Sequence, residues 1–366
     1  MYHEKKIILT GGGTAGSVVP LLAVAEEIKR KDPEVNFLFI GTRKGVPEKK
    51  MVQENHLPFR SIFSGKLRRY FSWQNFIDPL YIILGFVQSF LILLKFRPQA
   101  VVSAGGFVAV PLSLAARLLK IPVFIHQQDL QPGLANKIIA PLAQKITVSF
   151  KKSLNDFPAA KVVFTGNPFR KVILQGDCER AFHRFNLQAN LPVLLVMGGG
   201  LGAKNINEVI FKIAPDLVKF CQVIHLTGKN KGQTIAKEDL IINRYHQVEF
   251  LTREMPDVYK VADLVITRAG LGALTELSVL AKPSLVIPIT DSHQEINAQY
   301  FKEQKAVVLV KESELIPDKF LKQLKDLINN QSELKRLSQQ IHQLSQLQAG
   351  EKIAQIILNT KKNYQK

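Results

Sequence analysis

Short apolar runs alternate with helical patterns along most of this chain of 366 residues. The runs are almost continuously apolar, which is typical of parallel strands that helices cover on both faces. They predict strands at residues 7–10, 35–40, 100–103, 123–126, 146–149, 193–197, 222–226, 248–250, 264–267, 284–289 and 306–310. Helical patterns lie at residues 111–119 and 134–143, and the chain is strongly helical after residue 315. The alternation predicts an α/β fold with parallel sheets.

Two of these strands lead directly into glycine-rich turns. Residues 11–17 read Gly-Gly-Gly-Thr-Ala-Gly-Ser, and residues 198–204 read Gly-Gly-Gly-Leu-Gly-Ala-Lys. A helical pattern follows each turn, at residues 21–28 and 206–213. A strand, a glycine turn and a helix place backbone N–H groups and a helix N terminus where an anion can dock. Two such units, about half a chain apart, predict two nucleotide-fold halves that face each other across a cleft.

Length and composition agree with a two-domain globular protein. A chain of 366 residues is too long for one ordinary core, and its hydrophobic content of 46% excludes a disordered chain. Cys178 and Cys221 are too few for a disulfide framework and match no metal-ligand spacing, which favours a reducing cytoplasm. The first residues lead straight into a strand, so we expect no signal peptide.

The formal net charge of +19 indicates an affinity for polyanions. No recognition helix, zinc finger or aromatic and basic RNA signature is present, so nucleic acid is not an expected partner. Some of the charge lies at residues 66–73, just before an apolar run at 80–94 that is too short to span a bilayer. Two interpretations of that run stay open: a core helix of the first domain, or a helix partly exposed at an anionic membrane surface.

Polar and glycine-rich motifs cluster where strands end, which is where open α/β sheets bind ligands. They are Gly105-Gly106, the stretch from His126 to Asp129, the stretch from Arg268 to Glu276, and residues 291–297. Each has a purely structural alternative: Gly270 and Gly272 as tight-turn glycines, His126 as a core histidine, and Glu276 as a complement to a helix dipole.

Other nucleotide folds are disfavoured. The second strand ends in Ile-Gly-Thr-Arg, without the acidic residue that a dinucleotide fold needs for a ribose. The chain has no P-loop and no Asp-x-Asp pair, so we expect neither a cofactor nor a metal site. A leaving nucleoside diphosphate would then be neutralised by backbone amides, helix N termini and an arginine, Arg170 or Arg268.

The motifs, in their order along the chain, resemble those of the MurG transferases, which move N-acetylglucosamine (GlcNAc) from UDP-GlcNAc onto lipid I to make lipid II. The matching stretches are residues 13–20, 65–71, 105–108, 126–129, 132–136, 166–170, 198–203, 268–270, 275–276 and 293–298. The resemblance implies a GT-B fold of two Rossmann-like domains. We expect an acceptor and membrane domain at 1–165, a UDP-sugar domain at 166–335 and a helical segment at 336–366 that packs back on the first domain.

The resemblance also implies roles for individual residues. Leu251 would face uracil through its backbone, and Glu276 would accept the ribose hydroxyls. The remaining donor-site residues would hold the diphosphate and sugar or close the site beside Asp129: Thr14, Ala15, Gly16, Arg170, Gly200, Leu271, Gly272, Ala273, Leu274, Thr275 and Gln294.

For the acceptor, the resemblance implies a membrane-facing surface. Its expected residues are Lys66, Arg68, Arg69, Tyr70, Phe71, Trp73, Gly105 and Gly106. The expected partners are UDP-GlcNAc, lipid I, an anionic membrane surface and other cell-wall enzymes. The expected place is the cytoplasmic face of the cell membrane, peripherally bound, with a role in peptidoglycan synthesis, cell shape and cell division.

The chain departs from the family pattern near the expected reaction centre. Ala15 replaces a glycine, Ser17 replaces the family histidine, and Gln127 replaces a glutamate. Gly200 and Leu201 replace a serine and a glutamine. Serine cannot act as a base at neutral pH as imidazole can.

An inverting transfer needs a base, and Asp129 is the predicted one, with His126 and Ser17 as the other catalytic candidates. Asp129 has a structural alternative as a helix N-cap or turn acid. Three activities stay open: the lipid I transferase, a related GT-B transferase with another donor or another polyprenyl or glycolipid acceptor, and a silent UDP-sugar-binding scaffold.

Overall fold

The computed structural model describes residues 5–12, 15–43, 45–65, 74–199, 202–233 and 243–360. The chain divides into two compact units: unit 1 is Met1–Arg170 with Gln346–Lys366, and unit 2 is Lys171–Ser345. The sequence expectation placed the first boundary after residue 165 and the second after residue 335. In the structure the chain leaves unit 1 a few residues later and returns to it at Gln346.

Unit 1 contains a parallel sheet of seven strands in the order β3-β2-β1-β4-β5-β6-β7. The strands are β1 Lys6–Thr10, β2 Asn36–Thr42, β3 Phe59–Ile62, β4 Ala100–Ser103, β5 Val123–Gln127, β6 Lys145–Val148 and β7 Val162–Phe164. The sequence did not predict β3 or β7. Both lie at the edges of the sheet, where they are short and partly exposed, so neither carries a continuous apolar run.

Unit 2 contains a parallel sheet of six strands in the order β10-β9-β8-β11-β12-β13. The strands are β8 Val193–Met197, β9 Gln222–Leu226, β10 Tyr245–Val248, β11 Leu264–Thr267, β12 Ser284–Val286 and β13 Val308–Leu309. The predicted strand at 248–250 was misplaced. Buried Tyr245 starts the pairing with β9, whereas Phe250 is exposed beyond its end.

The helices of the described residues are α1 Val19–Lys31, α2 Val46–Glu54, α3 Gln74–Phe96, α4 Ala109–Leu118, α5 Leu134–Ile139, α6 Cys178–Arg184, α7 Lys204–Leu217, α8 Met255–Val261, α9 Leu271–Val279, α10 His293–Glu303, α11 Pro317–Ile328, α12 Gln331–Gln343 and α13 Ala349–Thr360. Alternate side chains of β1 pack into two hydrophobic cores, one on each face of the sheet. Ile7 and Leu9 pack with α1 and α13, whereas Ile8 packs with α4 and Leu93 of α3. The predicted α/β class with parallel, doubly covered sheets is confirmed.

Helix α3 is longer than the apolar run that predicted it, with 23 residues. By length and composition alone, its Asp78–Phe96 stretch could cross a membrane, the one such stretch among the described residues. Only 17% of that stretch is buried. Ser89 and Leu93 face the domain and are buried, whereas Ile83 and Leu91 are each 59% exposed. The helix therefore lies against unit 1 along one face and exposes apolar side chains on the other.

Candidate active site

In unit 1 the ends of β1 and β4 lie in close contact. A Cβ atom on Gly106 would lie 2.5 Å from the Gly12 carbonyl oxygen, and Gly106 has a φ of +85°. Only glycine adopts that conformation at such a distance without strain. The Ala104 N–H donates to the Thr10 carbonyl at 3.0 Å, which fixes the same approach. The glycine pair predicted after β4 therefore lies directly against the first glycine-rich turn.

The first turn continues into a short 3-10 helix, Ala15–Ser17, and α1 begins at Val19. Gly16 is exposed and Ser17 is half-buried. The helix places Ser17 at the carboxyl end of β1, as the sequence predicted. Thr14 lies outside the described residues.

His126 is the last but one residue of β5 and is 1% exposed. Its Nδ1 lies 3.0 Å from Thr147 Oγ1 and its Nε2 lies 2.9 Å from Asn167 Oδ1. Burial lowers the pKa of His126 to about 4, against the opposing effect of the Asn167 hydrogen bond. A neutral imidazole with both nitrogens engaged holds its neighbours in place. This geometry favours the core-histidine interpretation over a role in proton transfer.

Gln127 fixes the loop that follows β5. Its Nε2 donates to the carbonyls of Asp129 at 2.7 Å and Gln131 at 3.1 Å, and its Oε1 accepts from Asn136 Nδ2 at 2.6 Å. Gln127 is 2% exposed. Asn136 in turn lies against Gly105, whose Cβ would be 2.9 Å from Asn136 Oδ1. The amide that replaces the family glutamate thus connects β4, α5 and the Asp129 loop.

Asp129 lies half-buried in that loop, at the carboxyl edge of the sheet. The N-cap of α5 is Gly133, with no side-chain capping hydrogen bond. Asp129 is therefore not the N-cap of α5, and its candidacy as the base remains a prediction.

In unit 2 the second glycine-rich turn needs glycine for both conformation and space. Gly199 and Gly202 have φ values of +78° and +69°. A Cβ on Gly202 would lie 2.4 Å from the Thr227 carbonyl oxygen, and one on Gly198 would lie 2.3 Å from the Ala203 nitrogen. Gly200 lies outside the described residues.

The turn after β11 is different. Helix α9 begins at Leu271 with Gly270 as its N-cap, and Gly270 has an ordinary φ of −72°. A Cβ on Gly270 or Gly272 would meet no atom within 4 Å. Neither glycine is therefore required by a tight turn or by packing, contrary to the structural alternative. Open space at a helix N terminus suits the approach of an anionic ligand.

Glu276 lies on α9 and is 7% exposed. Tyr259 on α8 donates its hydroxyl to Glu276 Oε2 at 3.0 Å. Tyr259 is fully buried, and its hydroxyl also lies 3.7 Å from Met197 Sδ at the end of β8. Sequence reasoning missed Tyr259, because nothing in its local pattern distinguishes it from a core aromatic.

The other donor-site candidates occupy the same edge of unit 2. Leu251 is half-buried and follows β10, and Ala273, Leu274 and Thr275 lie on α9. Gln294 lies on the first turn of α10, and its Oε1 accepts from the Ile289 N–H at 3.3 Å.

Arg268 was predicted as one of two arginines that neutralise a diphosphate, and the structure engages it elsewhere. Its Nη2 donates to Glu312 Oε1 at 2.6 Å, and its Nη1 donates to the carbonyls of Ile287 and Pro288. Arg268 and Glu312 are 9% and 15% exposed. Arg170, the other candidate, is half-buried. It is the last residue of unit 1 before the chain enters unit 2.

The expected basic and aromatic surface residues lie outside the described residues: Lys66, Arg68, Arg69, Tyr70, Phe71 and Trp73. Within the described ranges, no three His, Cys, Asp or Glu side chains are grouped so that they could hold a metal ion.

Comparisons with known proteins identify the family to which this chain belongs. Residues 7–148 match the glycosyltransferase family 28 N-terminal domain, and residues 193–356 match its C-terminal domain. The structure superposes on a crystal structure of Acinetobacter baumannii MurG with a TM-score of 0.73 and 26% sequence identity. The superposition covers 97% of this chain and 99% of the MurG chain. A UDP-GlcNAc 2-epimerase from Neisseria meningitidis superposes with a TM-score of 0.70, over 97% of this chain and 100% of the epimerase chain. At 18% identity, this similarity shows a shared fold and nothing more.

The two parallel-sheet domains have the GT-B fold, and their match to both family 28 domains makes the chain a glycosyltransferase. The UDP-N-acetylglucosamine--N-acetylmuramyl-(pentapeptide) pyrophosphoryl-undecaprenol N-acetylglucosamine transferase of Clostridium perfringens is 41% identical over 329 residues, 89% of this chain and 90% of its own. A Bacillus anthracis enzyme of the same name, numbered 2, is 37% identical over 332 residues, with 89% and 92% covered. The chain belongs to this family, the MurG transferases, and the predicted resemblance is confirmed.

Proposed function

We propose that this protein transfers GlcNAc from UDP-GlcNAc to the acceptor sugar of lipid I, forming lipid II in peptidoglycan synthesis. The observation that carries the proposal is the 41% identity to the Clostridium perfringens transferase over nine-tenths of both chains. Cell shape and cell division then depend on it, since both require new peptidoglycan. The protein is a hexosyltransferase.

The donor half of the site is built on unit 2. The carboxylate of Glu276, oriented by Tyr259, accepts hydrogen bonds from the vicinal ribose hydroxyls. The diphosphate lies at the N terminus of α9, where the helix dipole and first-turn N–H groups stabilise a developing negative charge. Open space beside Gly270 and Gly272 supports this placement. The leaving UDP is thus stabilised without a metal ion.

The reaction is an inverting displacement. The acceptor hydroxyl oxygen attacks the anomeric carbon, the bond to the UDP oxygen breaks, and the hydroxyl proton passes to a base. Asp129 is the proposed base. The geometry of its alternatives supports this choice, since both His126 nitrogens are engaged and the amide of Gln127 has no basic site.

The test measures UDP release from UDP-GlcNAc with and without a short-chain lipid I analogue, and identifies the product by mass. We expect acceptor-dependent release and a disaccharide product. Asp129→Asn should abolish transfer and leave UDP-GlcNAc affinity nearly unchanged, with Asp156→Asn in the same unit as a control. Release with a different acceptor only, or tight binding without release, would contradict the proposed reaction. Full turnover by Asp129→Asn would refute the base.

We infer that the protein binds the cytoplasmic membrane surface through α3. Its outward face carries a row of exposed apolar side chains with helical spacing: Leu80, Ile83, Leu84, Val87, Leu91 and Leu94. Exposed basic side chains lie at the C-terminal ends of α3 and α4: Lys95, Arg97, Arg117 and Lys120. An apolar stripe with a basic border suits binding in the plane of an anionic bilayer, where the lipid-linked acceptor resides.

Vesicle sedimentation tests this membrane proposal. Burying one leucine or isoleucine side chain contributes about 1.5–3 kcal/mol to membrane binding. Replacing two such side chains of α3 with glutamate should therefore abolish binding to phosphatidylglycerol vesicles. The variant is Ile83→Glu with Leu91→Glu. The control is Leu347→Glu, since Leu347 is 55% exposed in the same unit but far along the chain. Equal sedimentation of both variants would contradict the proposal, and resistance to a high-salt and alkaline wash would indicate a spanning helix instead.

A further inference from the structure

Glu312 lies outside every motif that carries the family resemblance, at the start of a 3-10 helix after β13. Its carboxylate connects three segments at the carboxyl edge of unit 2. Oε1 accepts from Arg268 Nη2 at 2.6 Å and from Asn205 Nδ2 at 2.9 Å, and Oε2 accepts from the Thr290 hydroxyl at 3.0 Å. Asn205 follows the second glycine turn, and Arg268 precedes the turn that leads into α9. One side chain thus ties these strand-end loops together.

The same hydrogen bonds fix the segment that carries Gln294. Arg268, held by Glu312, donates to the carbonyls of Ile287 and Pro288, and Thr290, two residues further on, donates to Glu312 itself. The Ile289 N–H then donates to Gln294 Oε1 at 3.3 Å. Hydrogen bonds and the backbone of residues 287–290 therefore link Glu312 to the proposed sugar-binding amide.

The charge state of Glu312 suits this arrangement. Partial burial by itself raises the pKa of the Glu312 carboxyl. The hydrogen bonds from Arg268, Thr290 and Asn205, with the Arg268 charge, outweigh burial and hold its pKa below the usual value. The carboxylate therefore stays ionised at neutral pH and can accept all of these hydrogen bonds at once.

We propose that Glu312 is a positioning residue for donor binding: it holds Arg268 and the loop at residues 287–292, and so fixes Gln294 for the sugar of UDP-GlcNAc. This inference rests on the proposed function. Glu312 touches no substrate itself, and its effect passes through the guanidinium and the Thr290 hydroxyl.

The first test is Glu312→Gln in the full-length chain, which keeps the shape of the side chain and removes its charge. We expect KM for UDP-GlcNAc to rise about tenfold while kcat changes less than about twofold. The variant weakens the positioning of the donor, whereas the groups that carry out the transfer step are unchanged. Glu314→Gln is the matched control, since Glu314 lies on the same 3-10 helix, is exposed and accepts only from the Lys311 N–H among the hydrogen bonds described.

A double-mutant cycle separates positioning from general stability. If Glu312 acts through Arg268, Glu312→Gln should add little to the KM of Arg268→Gln. Independent effects that multiply, or an equal KM in Glu312→Gln and Glu314→Gln, would overturn the inference.

Hydrogen exchange tests the loop without any substrate. Glu312→Gln should speed amide exchange at residues 289–294 about tenfold and leave β8 unchanged. Unchanged exchange in the loop would overturn the inference even if the enzyme is active. Conversely, if the wild-type chain bound no UDP-GlcNAc, the proposed function would fail, and the exchange rates would still decide whether Glu312 holds the loop.

Discussion

The change Gln127→Glu restores the residue that the family has at this position, and we expect it to damage the protein. The Gln127 amide donates two hydrogen bonds, to the carbonyls of Asp129 and Gln131, and it is 2% exposed. A carboxylate cannot donate. It would instead place a negative charge against two carbonyl oxygens in a desolvated site, with only the Asn136 amide left as a donor.

The size of the effect follows from these contacts. Losing two part-buried hydrogen bonds costs about 2 kcal/mol, and an uncompensated buried carboxylate raises the total toward 3–5 kcal/mol. The variant can avoid the charge by binding a proton, which at pH 7 costs about 4 kcal/mol for a group with an unfolded pKa near 4.3. The expected destabilisation of unit 1 at pH 7 is therefore about 3–4 kcal/mol, or about 6–16 °C in its unfolding midpoint.

The sign of the pH dependence distinguishes this explanation from simple misfitting. Burial raises the pKa of the introduced carboxyl in the folded state above its unfolded value. Such a group favours the folded state below its unfolded pKa of about 4.3, and this contribution is lost as the pH rises through the folded pKa. The variant should therefore approach wild-type stability near pH 5 and fall behind it at pH 8.

Hydrogen exchange at the amides of β5, followed by mass spectrometry, measures the free energy of unfolding of unit 1 in both variants. Gln131→Glu is the control, because it makes the same chemical change in the same loop at an exposed side chain. It should change the free energy of unfolding by less than about 0.5 kcal/mol. A stable and fully active Gln127→Glu would refute this reasoning, and it would restore the view that the family carboxylate is simply missing here.

Three further variants or measurements test other parts of the site. Tyr259→Phe should weaken UDP binding in calorimetry about fivefold, since it removes the hydrogen bond to Glu276, and equal affinity would exclude that role. Gly272→Ala should stabilise the free chain by up to about 1 kcal/mol yet weaken UDP-GlcNAc binding, because the space it fills is the proposed diphosphate site. The His126 ring should stay neutral in NMR spectra until the pH approaches about 4, and titration near 6.5 would contradict its burial.

The central strands and their glycine turns could be predicted because each is a local signal. The apolar runs of β1 and β8 are buried; after β8, Gly199 and Gly202 take positive φ values and Gly198 has no room for a Cβ. The strand-end rule then placed Glu276 and Asp129 at the correct edges of their sheets. The edge strands β3 and β7 could not be predicted, since half-exposed strands of three or four residues lack a distinctive pattern.

The roles of paired side chains could not be predicted either, because they depend on contacts between distant positions. Arg268 and Glu312 lie 44 residues apart, so the sequence could not tell that this guanidinium is already engaged. His126 likewise looked available until its contacts with Thr147 and Asn167 were known. A side chain's type predicts what it can do, and only its partners determine whether it remains able to do it.

The two units fix the loops at their strand ends with different interactions: neutral hydrogen bonds in unit 1 and an ion pair in unit 2. Unit 1 uses neutral groups, His126 and Gln127, so its loop geometry is insensitive to salt. Unit 2 uses the ion pair of Arg268 with Glu312, which neutralises the arginine beside the proposed diphosphate site. For the proposed diphosphate site, we expect the attraction within unit 2 to come from backbone dipoles at the N terminus of α9. We therefore expect the guanidinium to contribute to donor binding by geometry rather than by charge.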